Sequence, residues 1–383
     1  MTARFAAAAS VLMVSGLCAL SLGGRVFYLI MYALLGMLLY ALGSAFLARA
    51  LLVVDQRAAE PKSERGSPGR LDLRLTNRSL LPVALFEVAL VLPTGQERMR
   101  LDAPPLREAV ASVPFVLNHV GVLQVFVRAV YVADLFGFFR FRRTIRQQPP
   151  EVVVLPRPFD VTALKFLAQD DGKALPNRSS EDITSPEDTR AYREGDSFKR
   201  VHWKLSARKR ELLVRRFEMP APPDTLILMD CTDPRGGEGV PDGLMRLRDT
   251  LCETALSVAK MQMEGSHPVR VPLYGAHASE FHADRAGSLS VLQEELAYQI
   301  FRGGEPFDRV LNVELRRMRR TGAAVVITTR LDARVVEGVK HIRRSGPSVR
   351  FYLVTFNAED EALAPLIAQL QHHLVEVCYV TPA

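Results

Sequence analysis

Two stretches near the N-terminus constrain what this chain can become. Phe5 to Gly24 is a run of twenty residues without a charge, and after Arg25 the stretch Val26 to Ala48 adds twenty-three more. A hydrocarbon core about 30 Å thick is crossed by about 20 apolar residues in helical form. The sequence therefore predicts two membrane spans, over 5–24 and 26–48. The connection Gly23-Gly24-Arg25 leaves room only for a tight hairpin, so both ends of the pair must lie on one membrane face. Arg4 precedes the pair, and Arg49, Arg57, Lys62 and Arg65 follow it, against Arg25 alone in the turn. Basic flanks mark the cytoplasmic side. A multi-pass inner-membrane protein with both termini cytoplasmic is expected. A cleaved leader followed by one span would put the remainder outside, but the basic start is thin and no clean cleavage site precedes Arg25.

The remaining 330-odd positions exceed one ordinary core. The formal charge of +7, from 49 Lys and Arg against 42 Asp and Glu, permits an anionic lipid, nucleic-acid or acidic protein partner and selects none of them. Cys18, Cys231, Cys252 and Cys378 form no C-x-x-C pair, and their spacing suits neither a zinc site nor a disulfide framework. They read as reduced thiols, which agrees with a cytoplasmic setting.

Residues 51–70 are polar with Pro and Gly and read as a linker. From 71 to 155 short alternating runs such as Leu71-Asp72-Leu73-Arg74-Leu75 are separated by turn signals at Asn77-Arg78-Ser79 and Pro93-Thr94-Gly95. Period-two alternation with this punctuation predicts an antiparallel β-sandwich. Residues 156–222 lack apolar periodicity. Over 223–383, apolar strands near Thr225 to Met229, Val269 to Tyr274, Ala323 to Thr328, Arg350 to Thr355 and Leu374 to Tyr379 alternate with amphipathic helices, including Gly243 to Met263. That alternation predicts a doubly wound α/β domain with a parallel sheet covered on both faces.

The most distinctive string is Asp188 to Arg208. It contains the single Trp, and from Arg190 to Glu218 ten basic residues face four acidic ones, a net of +6. The string resembles the signature of domain-of-unknown-function family fifty-eight, R-x-Y-x-x-G-D-x-x-R-x-I-H-W-K-x-S-A-R. Arg190, Tyr192, Gly195, Asp196, Arg200, His202, Trp203, Lys204, Ser206, Ala207 and Arg208 match, and Val201 stands for Ile. The layout is similar as well: a membrane hairpin, a β domain ending in a segment like Asp134-Leu135-Phe136-Gly137-Phe138-Phe139, the signature, and a von Willebrand A-like domain. The resemblance implies partnership with a MoxR-type AAA+ ATPase and with a transglutaminase-like membrane protein, and it implies no particular chemistry. The residue types allow a structural belt, in which Asp196 pairs with Arg200 or Arg208 and Trp203 packs a domain junction. After that reading they also allow a docking surface for an acidic partner.

Three constellations invite chemistry. Asp196, His202 and Ser206 have the residue types of a hydrolase triad, but Ser206 lacks the G-x-S-x-G elbow. Asp230-Cys231-Thr232-Asp233-Pro234 ends the first strand of the parallel sheet, where a von Willebrand A domain carries D-x-S-x-S. Asp230 and Thr232 match, while Pro234 has no hydroxyl and Arg330 adds positive charge nearby. Mg²⁺ is the ion such a site would take, with Asp233 as substitute ligand, and the degenerate set is expected to stay empty. His277 and His282, with Glu280 and Asp284 nearby, read as a polar loop. His372-His373 reads as a helix end. No complete catalytic set or cofactor motif is visible. A membrane-anchored scaffold or adaptor, with no nucleic-acid role, is the expected function, and a hydrolase is the alternative.

Overall fold

The computed structural model describes residues 3–81, 85–161, 189–193, 198, 201–215, 223–236, 239–283, 286–301, 304–318, 321–358 and 360–382. The chain divides into two compact units. One is Met1–Arg157 with Gln293–Gln299, and the other is Pro158–Leu292 with Ile300–Ala383.

The first unit opens with α1 (Ala3–Leu22) and α2 (Arg25–Leu51), both long and apolar enough to cross a membrane. The turn follows from glycine: Gly23 takes φ +63°, which a side chain resists, and its amide closes α1 on Ala19 O at 3.1 Å. Ser15 and Ala19 on α1 and Ala41, Ser44, Ala45 and Ala48 on α2 are buried, while larger residues such as Leu20, Leu29 and Phe46 face outward. Small buried residues let helix backbones approach in lipid, where no hydrophobic effect separates apolar side chains from their surroundings.

α2 runs directly into β1 (Leu52–Ala58), followed by β2 (Lys62–Glu64) and β3 (Pro68–Asn77). The expected linker over 51–70 is thus mostly strand. Leu52 and Val54 are buried, and β1 pairs antiparallel with β3 from Leu52↔Asn77 to Ala58↔Leu71. Pro61 and Gly66 fall in the turns between these strands, and Pro68 and Gly69 open β3. The unit continues with β4 (Leu85–Leu92), β5 (Gly95–Leu101), β6 (Glu108–Val116), β7 (Gly121–Gln124), β8 (Phe126–Ala133), β9 (Arg140–Thr144) and β10 (Glu151–Leu155). These form sheets of order β1-β3-β6, β5-β4-β8-β9 and β2-β10-β7. Alternation supplies one core: Leu71, Leu73 and Leu75 of β3 join Phe86, Val88 and Leu90 of β4 and Val127, Val130 and Val132 of β8. Each such side chain contributes about 1.5–3 kcal/mol by leaving water.

In the second unit β11 (Thr189–Ala191) and β12 (Leu213–Arg215) form an antiparallel ribbon around α3 (Trp203–Lys209). There follow β13 (Asp224–Met229), α4 (Gly243–Glu264), β14 (Val269–Tyr274), β15 (Ala278–Ala283), α5 (Leu289–Ala297), α6 (Phe307–Arg317), β16 (Thr321–Thr328), α7 (Ala333–Arg344), β17 (Ser348–Val354), α8 (Ala364–His372) and β18 (Glu376–Val380). The sheet order is β15-β14-β13-β16-β17-β18. All neighbours are parallel except β14 and β15, which are antiparallel. The polar loop expected around His277 and His282 is therefore mostly the edge strand β15. Its polar composition hid it, because an edge strand has only one side to bury, and only Phe281 and Ala283 are buried.

On one face of the sheet Leu226, Leu228, Val326 and Phe351 meet Val310 and Leu311 of α6 and Val335, Val339 and Ile342 of α7. Ile227, Met229, Val325 and Ile327 are equally buried on the face that α4 covers. The β14/β15 edge is tied to α6 by charge. Fully buried Glu314 accepts from Arg270 Nη1 at 2.7 Å, Arg317 Nη1 at 2.7 Å and Tyr274 Oη at 2.5 Å, and Glu280 accepts from both arginines.

Candidate functional site

Two places hold the chemistry-bearing residues: the carboxyl ends of β13 and β16, and the ribbon around α3.

β13 and β16 are the parallel neighbours at which the strand order reverses, the crevice where doubly wound sheets bind ligands. Asp230 follows β13 and is 2% exposed in its side chain. Its Oδ1 accepts from the Thr232 amide at 3.0 Å and the Thr232 hydroxyl at 2.6 Å, and its Oδ2 accepts from the Thr328 hydroxyl at 2.7 Å. Both hydroxyls thereby spend their protons on the carboxylate, leaving lone pairs to accept from something else, and Arg330 fills that need. Its Nη2 donates to Thr232 Oγ1 and, at 2.8 Å, to Asp233 O; its own amide donates to Thr328 Oγ1 at 3.0 Å; and its Nε lies 3.8 Å from Asp230 Oδ2. The substitute ligand Asp233 is also engaged, with Oδ1 2.5 Å from Arg248 Nη2.

A divalent cation needs near-octahedral oxygen ligation with lone pairs pointing inward. Here those lone pairs already point at N–H groups, and a guanidinium brings its own positive charge to the same carboxylate. The donor set does not fit a metal. Among the described residues, no group of three or more His, Cys, Asp or Glu could hold one. Next to Asp230, burial pushes the Cys231 thiol up to about 12, against the Tyr274 backbone hydrogen bond that lowers it. Cys231 is thus an inert core residue and no nucleophile.

In the second place the ribbon β11–β12 frames the helix. Arg190 lies in β11 and pairs in register with Val214. His202 caps α3, with Nδ1 accepting from the Leu205 amide at 3.2 Å. Ser206 is buried, and its hydroxyl accepts from the Leu213 amide at 2.9 Å and reaches Leu213 O at 3.4 Å. Both side chains thus stitch the helix to its own backbone and to β12, and the nucleophile–base hydrogen bond that a triad needs is not made between them. Gly195, Asp196 and Arg200 lie outside the described residues.

Trp203 is 61% exposed, as is Phe198 at 60%, and Tyr192 stacks on Phe198 with centroids 5.4 Å apart. Lys204, Arg208, Lys209 and Arg210 are exposed as well. His202 and Ser206 hold α3 in place while its first turn offers a large aromatic to solvent among cations. Phe198 was the residue that motif matching missed; the signature leaves its position unspecified.

The fold and these sites define a class: a chain with two membrane-length helices, a β-sheet unit and an α/β unit whose switch point is closed by its own arginine. Residues 188–349 match the family described as Protein of unknown function DUF58, which supports assigning the chain to that family. Among curated proteins none matches. The chain is similar in part to three solved structures. The CARDB domain of the PF1109 protein from Pyrococcus furiosus is 12% identical over 27% of this chain and 87% of its own, with a TM-score of 0.21. The Pseudomonas fluorescens alkylpurine DNA glycosylase AlkC is 13% identical over 34% of this chain and 42% of its own, at 0.16. Cwp6 from Clostridium difficile is 8% identical over 85% of this chain and 49% of its own, at 0.20. At such scores none of the three carries an argument about fold or function.

Proposed function

We propose that this chain is a membrane-anchored scaffold whose α3 ribbon docks a protein partner. The observation that carries the reading is the exposure of Trp203 and Phe198, with Lys204, Arg208, Lys209 and Arg210 also exposed on and just after the same short helix. Aromatics with arginine dominate the energetics of interfaces, so exposed ones beside basic residues offer a candidate docking face. Surrounding cations favour an acidic partner face and speed encounter. The signature's family resemblance makes a MoxR-type AAA+ ATPase the first partner to test and a transglutaminase-like membrane protein the second.

The strand order, with its first strand central and its reversal between β13 and β16, supports reading the α/β unit as von Willebrand A-like, a class of interaction domain. The basic flanks support a hairpin in the inner membrane with both termini cytoplasmic, which puts the docking face on the side where ATP is available. The hydrolase reading has no such support, because Ser206 and His202 are spent on backbone groups.

The test is co-purification of the full chain with the ATPase from detergent-extracted membranes. Trp203→Ala should reduce recovery about 30-fold, the equivalent of the roughly 2 kcal/mol typical of an aromatic hot spot, and Lys204→Glu should weaken binding in a salt-dependent way. Undiminished recovery of the ATPase by Trp203→Ala would refute docking at α3. Digestion of the β-sheet unit by protease added outside intact cells would refute the topology.

A further inference from the structure

We infer that the loop joining β8 to β9, residues 134–139, is a lipid-interface anchor seated where the phospholipid headgroups meet the acyl chains around α1 and α2. The inference rests on the reading that these helices span the bilayer. The loop is short, aromatic and rigid. Asp134 is fully buried, and its carboxylate accepts from the Phe136 amide at 2.9 Å and the Phe139 amide at 2.5 Å, so the backbone is fixed from within. The strand-to-strand turn then leaves Leu135 half exposed, while Phe136 and Phe139 are partly buried and Phe138 is buried.

What they touch sets their depth. Phe139 lies against Phe5 of α1, with ring centroids 5.1 Å apart, and Phe136 lies edge-on to Tyr40 of α2 at 6.5 Å. Phe5 is eighteen residues from Gly23 and Tyr40 sixteen residues from Gly24. At 1.5 Å per residue both contacts stand about 24–27 Å from the hairpin turn. With the turn at one boundary of a hydrocarbon core about 30 Å thick, the contacts lie about 3–6 Å short of the other boundary, where acyl chains meet the headgroups. Two independent helices give the same level.

The charges agree with that level. A Cβ on Gly137, which holds φ +74°, would come within 3.1 Å of Arg4 Nη1, so the Arg4 guanidinium lies directly over the loop. Arg143 Nη1 donates to Arg49 O at 2.5 Å and Ala50 O at 3.1 Å, nine and ten residues beyond Tyr40 on α2, so its guanidinium lies on the water side of the loop. Apolar side chains pointing at acyl chains with guanidiniums at phosphate height are what an interfacial anchor requires. The loop also gives the membrane helices a fixed connection to the β sheets.

The chain has one Trp, which makes the test direct. In a Trp203→Phe background, Leu135→Trp and, separately, Tyr32→Trp on the outward face of α2 are reconstituted in phosphatidylglycerol-containing vesicles. Quenching is then read with lipids brominated near the headgroup or deep in the chains. Tyr32→Trp should be quenched best by deep bromines. Leu135→Trp should be quenched best by shallow bromines, with blue-shifted emission and little quenching by aqueous iodide. If Leu135→Trp answers only to iodide, or only to deep bromines, while Tyr32→Trp is quenched deeply, the anchor is wrong and the spanning helices stand. If neither position is quenched by lipid, the spanning reading falls and the anchor falls with it.

Discussion

Truncating Arg330 to Ala tests the claim that this side chain is the resident cation of the switch point. The substitution removes a positive charge 3.8 Å from the Asp230 carboxylate, which is 2% exposed, together with Nη2 hydrogen bonds to Thr232 Oγ1 and Asp233 O. Removing one partner of a fully buried pair costs about 3–5 kcal/mol, and an exposed pair is worth about 0–1 kcal/mol. Arg330 retains about a quarter of its exposure at a separation of 3.8 Å, so a loss near 2 kcal/mol is expected. For a unit of this size that is a fall of about 4–8 °C in the α/β transition. The freed hydroxyl and carbonyl oxygens should then admit Mn²⁺. Ten times its dissociation constant would return about 1.4 kcal/mol, through the binding linkage RT ln(1 + [L]/Kd). Calorimetry of the full chain in detergent, with EDTA or Mn²⁺, reads all of this. A wild-type transition that falls in EDTA, or rises in Mn²⁺ as far as that of the variant, would show that an ion and not Arg330 balances Asp230.

Other outcomes follow from the same physics. Glu314→Gln keeps the shape but leaves Arg270 and Arg317 without their buried carboxylate, and should cost about 2–4 kcal/mol, with hydrogen exchange rising first in β14 and β15. Burial raises the Glu280 carboxyl, but hydrogen bonds from Arg317 and Arg270 outweigh it and hold the group below the ordinary 4.5. Its folded value being depressed, its contribution is full above 4.5 and fades as pH falls below it; Glu280→Gln should flatten the acid limb of a stability profile, most visibly at low salt. Burial raises the thiols of Cys231 and Cys252, so alkylation of either in the native state at pH 8 should be slow and should become fast on unfolding. Rapid native labelling would mean the β13–α4 face is open.

How much of this was written in the sequence depends on whether the deciding force is local. The two long apolar helices could be read because length and absence of charge are properties of consecutive residues. The strands and helices of the α/β unit could be read because continuous apolar runs and a 3.6-residue period survive in any context that buries them. The strands over 52–77 hid among Pro and Gly, since pairing between β1 and β3 joins residues up to 25 apart. β15 hid because an edge strand needs little apolar content.

The sites divide in the same way. The signature named His202, Trp203 and Ser206 as residues that belong together, and nothing local could separate their roles. The backbone of β12 decided that Ser206 is structural, and the packing of α3 on its ribbon decided that Trp203 faces water. At the switch point, composition placed Asp230, Thr232 and an unwanted Arg330 in one region. Only the tertiary structure, by bringing the ends of β13 and β16 side by side, decided which way each hydroxyl proton points, and so that the cation there is a side chain. Sequence fixes which groups are available, because covalent order sets helix phase, strand alternation and span length. Geometry between distant segments fixes what those groups face, because hydrogen bonds and charges act over a few ångströms and are indifferent to separation along the chain.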